Sequence, residues 1–136
     1  MYGGAGTDTA YYYSARADYA ITYNQDGTEK DRTRIDPIGP VDYLFVNPYA
    51  VHPLNERVVY MAGGNKLWRN NDVSKIPAGN TDSTLINWDS LTATDVGVNQ
   101  ISCVAATVSD DGMHHRIFYG TSNGKIYRLD TAEIGS

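Results

Sequence analysis

The chain of 136 residues has one cysteine, two phenylalanines, no cluster of basic side chains and no long apolar run. A lone cysteine excludes an internal disulfide and a thiolate zinc site. Cys103, inside the apolar run Ile101–Val104, is therefore expected to be a small core residue. No stretch approaches the roughly 20 apolar residues that a membrane-spanning helix needs. Met1-Tyr2-Gly3-Gly4 carries no basic region followed by an apolar one, so no export signal is expected in this chain. The net charge of −5 argues against a nucleic-acid partner. Lys30, Arg32 and Arg34 alternate with Glu29, Asp31 and Asp36 nearby and read as a solvated strand or loop edge.

What the chain does have is tyrosine, 11 of them, a residue suited to half-buried strands with the ring inside and the hydroxyl at water. It also repeats itself. The segment from Arg57 to Arg69 (RVVYMAGGNKLWR) lies over the segment from Arg116 to Arg128 (RIFYGTSNGKIYR) at a constant spacing of 59 residues. A weaker third copy, Tyr2 to Tyr12, precedes the first of these by 58 residues. In each strong copy a β-branched and aromatic run is followed by a glycine/asparagine turn and a second short run that begins with lysine. Such a pattern predicts a hairpin, with Gly63, Gly64, Asn123 and Gly124 as turn residues.

Apolar runs precede both hairpins: Tyr43–Val46 with Tyr49–Val51, and Ile101–Ala106. The second is rich in small residues and suits an inner strand buried on both faces. The polar stretch Ser74–Ser83 reads as a surface excursion, and Leu85–Leu91 as a fourth strand. Asp18–Tyr23 takes the outer-strand part for the first copy, closed by a turn at Asn24-Gln25-Asp26-Gly27. Four antiparallel strands repeated at a fixed period are the unit of a β-propeller. The expected fold is thus an all-β propeller fragment of about two to three four-stranded blades. The chain divides into a partial blade at residues 1–40, a full blade at 41–99 and a partial blade at 100–136. A β-sandwich with a duplicated sheet is the alternative.

The residues Asn47-Pro48-Tyr49-Ala50-Val51-His52-Pro53, Val58-Val59-Tyr60-Met61-Ala62-Gly63-Gly64 and Leu67-Trp68-Arg69-Asn70-Asn71-Asp72 resemble the propeller repeats of the sialidase-like, Asp-box (BNR) and sortilin-like superfamily. Propellers of this kind occur in large secreted bacterial proteins and in xyloglucan-degrading enzymes. The family's Asp-box is degenerate here: Asn70 holds the serine position, Asp72 the aspartate, Ser74 replaces the glycine, and Trp88 stands for the displaced tryptophan. The resemblance implies that Asn70 and Asp72 tie a turn, in line with the habit of Asn and Asp side chains of bonding their own backbone. It also implies an extracellular or cell-surface location. It does not carry an activity, because the superfamily holds hydrolases, receptors and assembly factors alike.

No catalytic residue and no cofactor is expected within the chain. A glycosidase needs two carboxylates about 5–10 Å apart, and none of the pairs stands out. Arg57, Arg69, Arg116 and Arg128 are explained by their repeat positions. His114 and His115 are adjacent, so on a strand they would point to opposite faces, which disfavours a shared metal ion. Trp68, Tyr127 and Trp88 are the ligand-binding candidates, as rings able to stack on a sugar or pack on a partner. A chain of 136 residues with a period near 58 cannot close a ring. The expected partners are accordingly the remaining blades of the same propeller, from the same longer chain or from other copies, as three copies would supply about seven blades. A protein or glycan ligand is expected on a propeller face or rim. The function read from the sequence is a non-catalytic binding or scaffold segment. The alternative is part of a propeller glycoside hydrolase whose carboxylates lie outside this chain.

Overall fold

The computed structural model describes residues 9–14, 17–39 and 42–133. Their secondary structure consists of β-strands and two short 3-10 turns at Val73–Lys75 and Thr92–Thr94. The ten strands are β1 (Thr9–Ser14), β2 (Ala17–Tyr23), β3 (Glu29–Arg34), β4 (Tyr49–His52), β5 (Asn55–Gly63), β6 (Lys66–Asn70), β7 (Trp88–Leu91), β8 (Ile101–Val108), β9 (His115–Thr121) and β10 (Ile126–Leu129). They form three antiparallel sheets with neighbours in chain order: β1-β2-β3, β4-β5-β6-β7 and β8-β9-β10. The described residues are all-β, and their sheets do not close into a barrel.

The middle sheet lies between the other two. Successive residues of a strand point to opposite faces, and β5 is apolar on both. Val58, Tyr60 and Ala62 join a cluster with Leu67, Leu91, Ile101, Ile117 and Tyr119, which is the contact with the third sheet. Val59 and Met61 join Tyr11, Ile35, Val51, Val73, Ile76 and Trp88, which is the contact with the first. Six consecutive residues of β5, from Val58 to Gly63, are buried. This doubly covered strand is where the core sits.

Both expected hairpins form. In the middle sheet Gly63 pairs with Lys66, leaving the two-residue turn Gly64-Asn65, and Gly64 adopts a φ of +73°. Positive φ at the first central residue suits the right-handed twist of a two-residue hairpin. In the third sheet, Gly120 pairs with Ile126 and the Thr121 amide donates to the Lys125 carbonyl. The loop there is Ser122-Asn123-Gly124, with Gly124 at φ +79°. That one extra loop residue corrects the constant spacing of 59. Pair by pair, Met61–Trp68 matches Tyr119–Tyr127 and Ala62–Leu67 matches Gly120–Ile126. The offset is thus 58 in β5/β9 and 59 in β6/β10. A one-residue slip turns every side chain to the other face, so the corrected alignment decides which positions are equivalent. With it, the face that the third sheet turns to the middle sheet (Ile117, Tyr119, Tyr127) is the repeat of the face that the middle sheet turns to the first (Val59, Met61, Trp68).

Several other expectations shift. The run Tyr43–Val46 is not a strand; pairing begins at Tyr49, after Pro48, and Phe45 and Val46 are exposed. The fourth strand is only Trp88–Leu91: Asn87 adopts φ +58°, a left-handed conformation that breaks the extended run, and Leu85 and Ile86 are exposed. Asp18–Tyr23 falls in β2, which is the central strand of its sheet, not an outer one, because Glu29–Arg34 adds β3 beside it. β8 is not buried on both faces, and Cys103 is exposed rather than in the core, because nothing among the described residues covers that side of the third sheet. The stretch Ser74–Ser83 is more than a surface excursion. It ties the middle sheet to the first, with Arg34 N donating to Asn80 O at 2.7 Å, Asn80 Nδ2 to Arg34 O at 2.9 Å and Gly79 N to Thr33 Oγ1 at 3.0 Å. Most of the weak copy Tyr2–Tyr12 lies outside the described residues.

Candidate functional site

Where the first two sheets diverge, a groove of about 330 Å³ opens between them. One wall continues the packed face of the first sheet. Thr9 pairs with Thr22 and Thr22 with Asp31, so all three share that face with Tyr11, Ala20 and Thr33. The other wall is Glu56 and Arg57 at the start of β5 together with the segment from Val73 to Ala78. Tyr11, Val73 and Ile76 are buried and form the floor. The Tyr11 hydroxyl donates to the Glu56 carbonyl at 2.7 Å, and the Tyr49 hydroxyl to the Tyr11 carbonyl at 2.9 Å, locking the two walls. Lys30, Asp31, Glu56 and Arg57 stand on the rim, and none is in an ion pair among the described residues. The groove thus has an apolar floor under a rim holding two cations, two anions and several hydroxyls.

The ring candidates lie elsewhere and are engaged in packing. Trp88 is 7% exposed, and its indole N–H donates to the Ile35 carbonyl at 2.6 Å. Trp68 is half-buried against the same cluster, beside the backbone of Gly39. Tyr127 stacks on Tyr119 with ring centroids 5.3 Å apart and 15° between planes. The turn candidates sit in or beside turns. Asn70 Oδ1 accepts from Asp72 N at 3.0 Å while its amide donates to Ile86 O at 2.9 Å. Asp72 Oδ1 accepts from Ser74 N at 3.1 Å, capping the short 3-10 turn. Asn123 accepts from the Thr121 hydroxyl, Gly64 and Gly124 supply the left-handed positions, and Gly63 closes β5.

Two polar clusters lie inside the sheet interfaces. Between the first and middle sheets, Asp18 is 3% exposed and neither carboxylate oxygen has a hydrogen-bond partner among the described residues. Its pKa is pushed up to about 8, chiefly by burial and then by the nearby charge of Asp36, against the pull of Arg34. Asp36 is itself buried and takes both Arg34 donors, at 2.7 and 3.0 Å. Between the middle and third sheets, the His52 and His115 rings lie 3.9 Å apart at 36°. His115 Nδ1 is 2.6 Å from the buried Tyr60 hydroxyl. Arg69, 3% exposed, donates to the Ala132 carbonyl and reaches Asp89 at 3.3 Å. Glu133 receives the His115 amide at 2.7 Å and meets His114 Nδ1 at 2.5 Å. Burial holds both His52 and His115 below the ordinary imidazole value, and Glu133 raises His114. His52 Nδ1 accepts from Leu54 N, so its neutral ring carries the proton on Nε2, which is buried without an acceptor among the described residues.

Sequence reading missed the groove and both clusters. A signal for the groove is the alternation Thr9, Tyr11 and Thr22, Ala20, which marks one strand face; its second wall comes from residues some 45 positions later in the chain, such as Glu56. Among the described residues no group of three or more His, Cys, Asp or Glu is placed to hold a metal ion. No helix among them is long and apolar enough to cross a membrane.

The fold and groove define the chain as an all-β protein of stacked antiparallel sheets with a polar-rimmed groove between two of them. No family model, no curated protein and no solved structure matches it.

Proposed function

We propose that the chain is a segment of a β-propeller of the sialidase-like, Asp-box and sortilin-like kind, with blades at residues 1–40, 41–99 and 100–136, and that it serves outside the cell as a non-catalytic binding and scaffold unit for a protein partner. The observation that carries this reading is the sense of the stack: the third sheet meets the middle one with the same repeat positions with which the middle one meets the first. Head-to-tail repetition of one face against the next is how blades succeed one another around an axis. The four-stranded meander of the middle sheet has the strand number and order expected of one blade. The extracellular location rests on the resemblance to secreted propeller proteins.

A protein ligand is favoured over a glycan by the groove. A sugar ring stacks on an open aromatic face, whereas Trp88, Trp68 and Tyr127 are all engaged in packing. An apolar floor with charges of both signs on the rim suits a peptide whose apolar side chain is flanked by charged ones. The alternative, a hydrolase segment, gains nothing from Asp18, because that carboxyl is sealed between two sheets. Amide chemical shifts of the chain titrated with short peptides carrying one leucine between lysine and glutamate test the reading, with neutral oligosaccharides as the comparison. Peptides are expected to move the signals of Thr22, Asp31, Glu56 and Ser74. A response confined to the saccharides and centred on Trp68 or Tyr127 would refute it.

A further inference from the structure

We infer that the uncovered face of the third sheet is a docking surface for a further antiparallel β-sheet, presenting aliphatic and aromatic side chains at alternate positions as Ile117, Tyr119 and Tyr127 do. The inference rests on the propeller reading and names the partner and the residues that hold it.

Cross-strand rows on the two sheets show why. On the middle sheet Ala50, Tyr60 and Arg69 are registered partners in one row, with Ala62 and Leu67 in the next. On the third sheet the equivalent rows are Ala105, Phe118 and Arg128, then Gly120 and Ile126. Alanine, aromatic and arginine recur in the same order. The middle-sheet face is covered: Tyr60 and Leu67 are both 0% exposed. The third-sheet face is open: Phe118 is 38% and Ile126 80% exposed, with the Cys103 thiol beside Gly120. What covers Tyr60 and Leu67 is a β-sheet, through Ile101, Ile117 and Tyr119. The repeat therefore specifies the chemistry of the occupant for Phe118 and Ile126. Arg69 donates to the carbonyl of Ala132, in the segment that follows the covering sheet, whereas Arg128 is exposed and paired with Asp130, just beyond the end of its own strand. β10 also lacks, among the described residues, the fourth strand that β7 provides to β6. An apolar face beside an open strand edge is a paired liability that a docked sheet removes.

The test extends the chain by its own repeat. Leu129 corresponds to Asn70, so residues 1–129 are joined to a second copy of residues 71–133 in which Cys103→Ser removes the added thiol. The second β7 should then pair with the first β10, and the second β8-β9-β10 should cover Phe118 and Ile126. In the parent chain Cys103 is expected to react with a thiol reagent as a free cysteine. In the extended chain its rate should fall by ~10-fold or more, because a covered thiol reacts only when the interface opens. Phe118→Glu should restore the rate in the extended chain and leave the thermal midpoint of the parent unchanged. Equal thiol rates in parent and extended chains would overturn the inference. So would a parent midpoint lowered by Phe118→Glu, or a parent dimer that this change splits, since the face would then be occupied by the chain itself or by a second copy. An NMR contact between Tyr60 and His115 in the parent separates the two levels: its absence defeats the stacking itself, whereas its presence with an unprotected Cys103 defeats the docking surface alone.

Discussion

The middle and third sheets have nearly the same strand grammar and opposite fates. Leu67 and Ile126 follow the same lysine of the same hairpin, yet one is fully buried and the other 80% exposed. Tyr60 and Phe118 stand in equivalent rows, and only the first is covered on its side. Local sequence is therefore enough to make the hairpin, but the burial that stabilises it comes from whatever lies against each face. β5 contributes to two interfaces at once through adjacent residues, while β9 contributes to one.

The two interfaces of the middle sheet differ as well. Toward the first sheet lies a buried acid, Asp18, without a hydrogen-bond partner among the described residues, and toward the third a pair of close, tilted imidazoles beside a buried arginine. These respond to pH in opposite directions. Asp18 has a folded-state pKa raised to about 8 from 3.8, so the unfolded chain loses that proton first as pH rises. Its contribution is intact at low pH and declines from about 4 to about 8. His52 and His115 lie below the free value of 6.5, so the unfolded chain takes up protons first as pH falls. Their contribution is intact above about 6.5 and is lost on acidification, when two cations would lie against each other next to Arg69. The exposed pair of His114 and Glu133 acts the other way from the buried rings: the histidine is raised by its partner, so that stabilisation fades as pH climbs past its folded value.

The sharpest way to break the comparison between sheets is to truncate its two equivalent residues. Leu67→Ala should destabilise by about 2–5 kcal/mol, the usual range for a buried leucine, whereas Ile126→Ala should stay within about 0.5 kcal/mol because no cavity forms. Urea unfolding measures both, and equal losses would mean that the third sheet is covered. Next in size, Asp18→Asn should remove the decline of stability between about pH 4 and about pH 8, read from denaturation midpoints across that range; an unchanged slope would place the titrating acid elsewhere. Smaller again, His52→Phe should flatten the loss of stability below about pH 6.5, since an apolar ring fills the place beside His115 without taking a proton. A variant that still weakens as steeply on acidification would remove the His52–His115 pair from the account. Smallest, Gly64→Ala should cost roughly 1 kcal/mol for a left-handed alanine, with the new Cβ 3.2 Å from the Asp42 amide nitrogen. Gly79→Ala, at a similar φ but with open space around it, isolates the backbone part of that cost.

Much of the fold was legible because it is written locally. Tyr60 to Arg69 announces two strands and a turn through residues that touch one another, and Asn123-Gly124 does the same for the third sheet. The turn roles of Asn70 and Asp72 were legible for the same reason, as each bonds a backbone amide two residues away. The misreadings of burial and protonation concern partners far along the chain. Cys103 looked like core because its neighbours are apolar; whether a face is covered depends on another sheet. Asp18 and His52 carry no local mark, since their unusual protonation arises from strands that meet them from elsewhere.

The amino-acid order alone determined the alternation of strand and turn, the positions of the hairpin bends and the repetition of the unit. These follow from backbone preferences and side-chain bonds that span a few residues. The tertiary structure decided the rest: the one-residue correction of the repeat, which side of each sheet is dry, and where a groove opens between diverging sheets. Those outcomes depend on how twisted sheets come together, and a pairing shifted by a single residue exchanges the covered face for the open one.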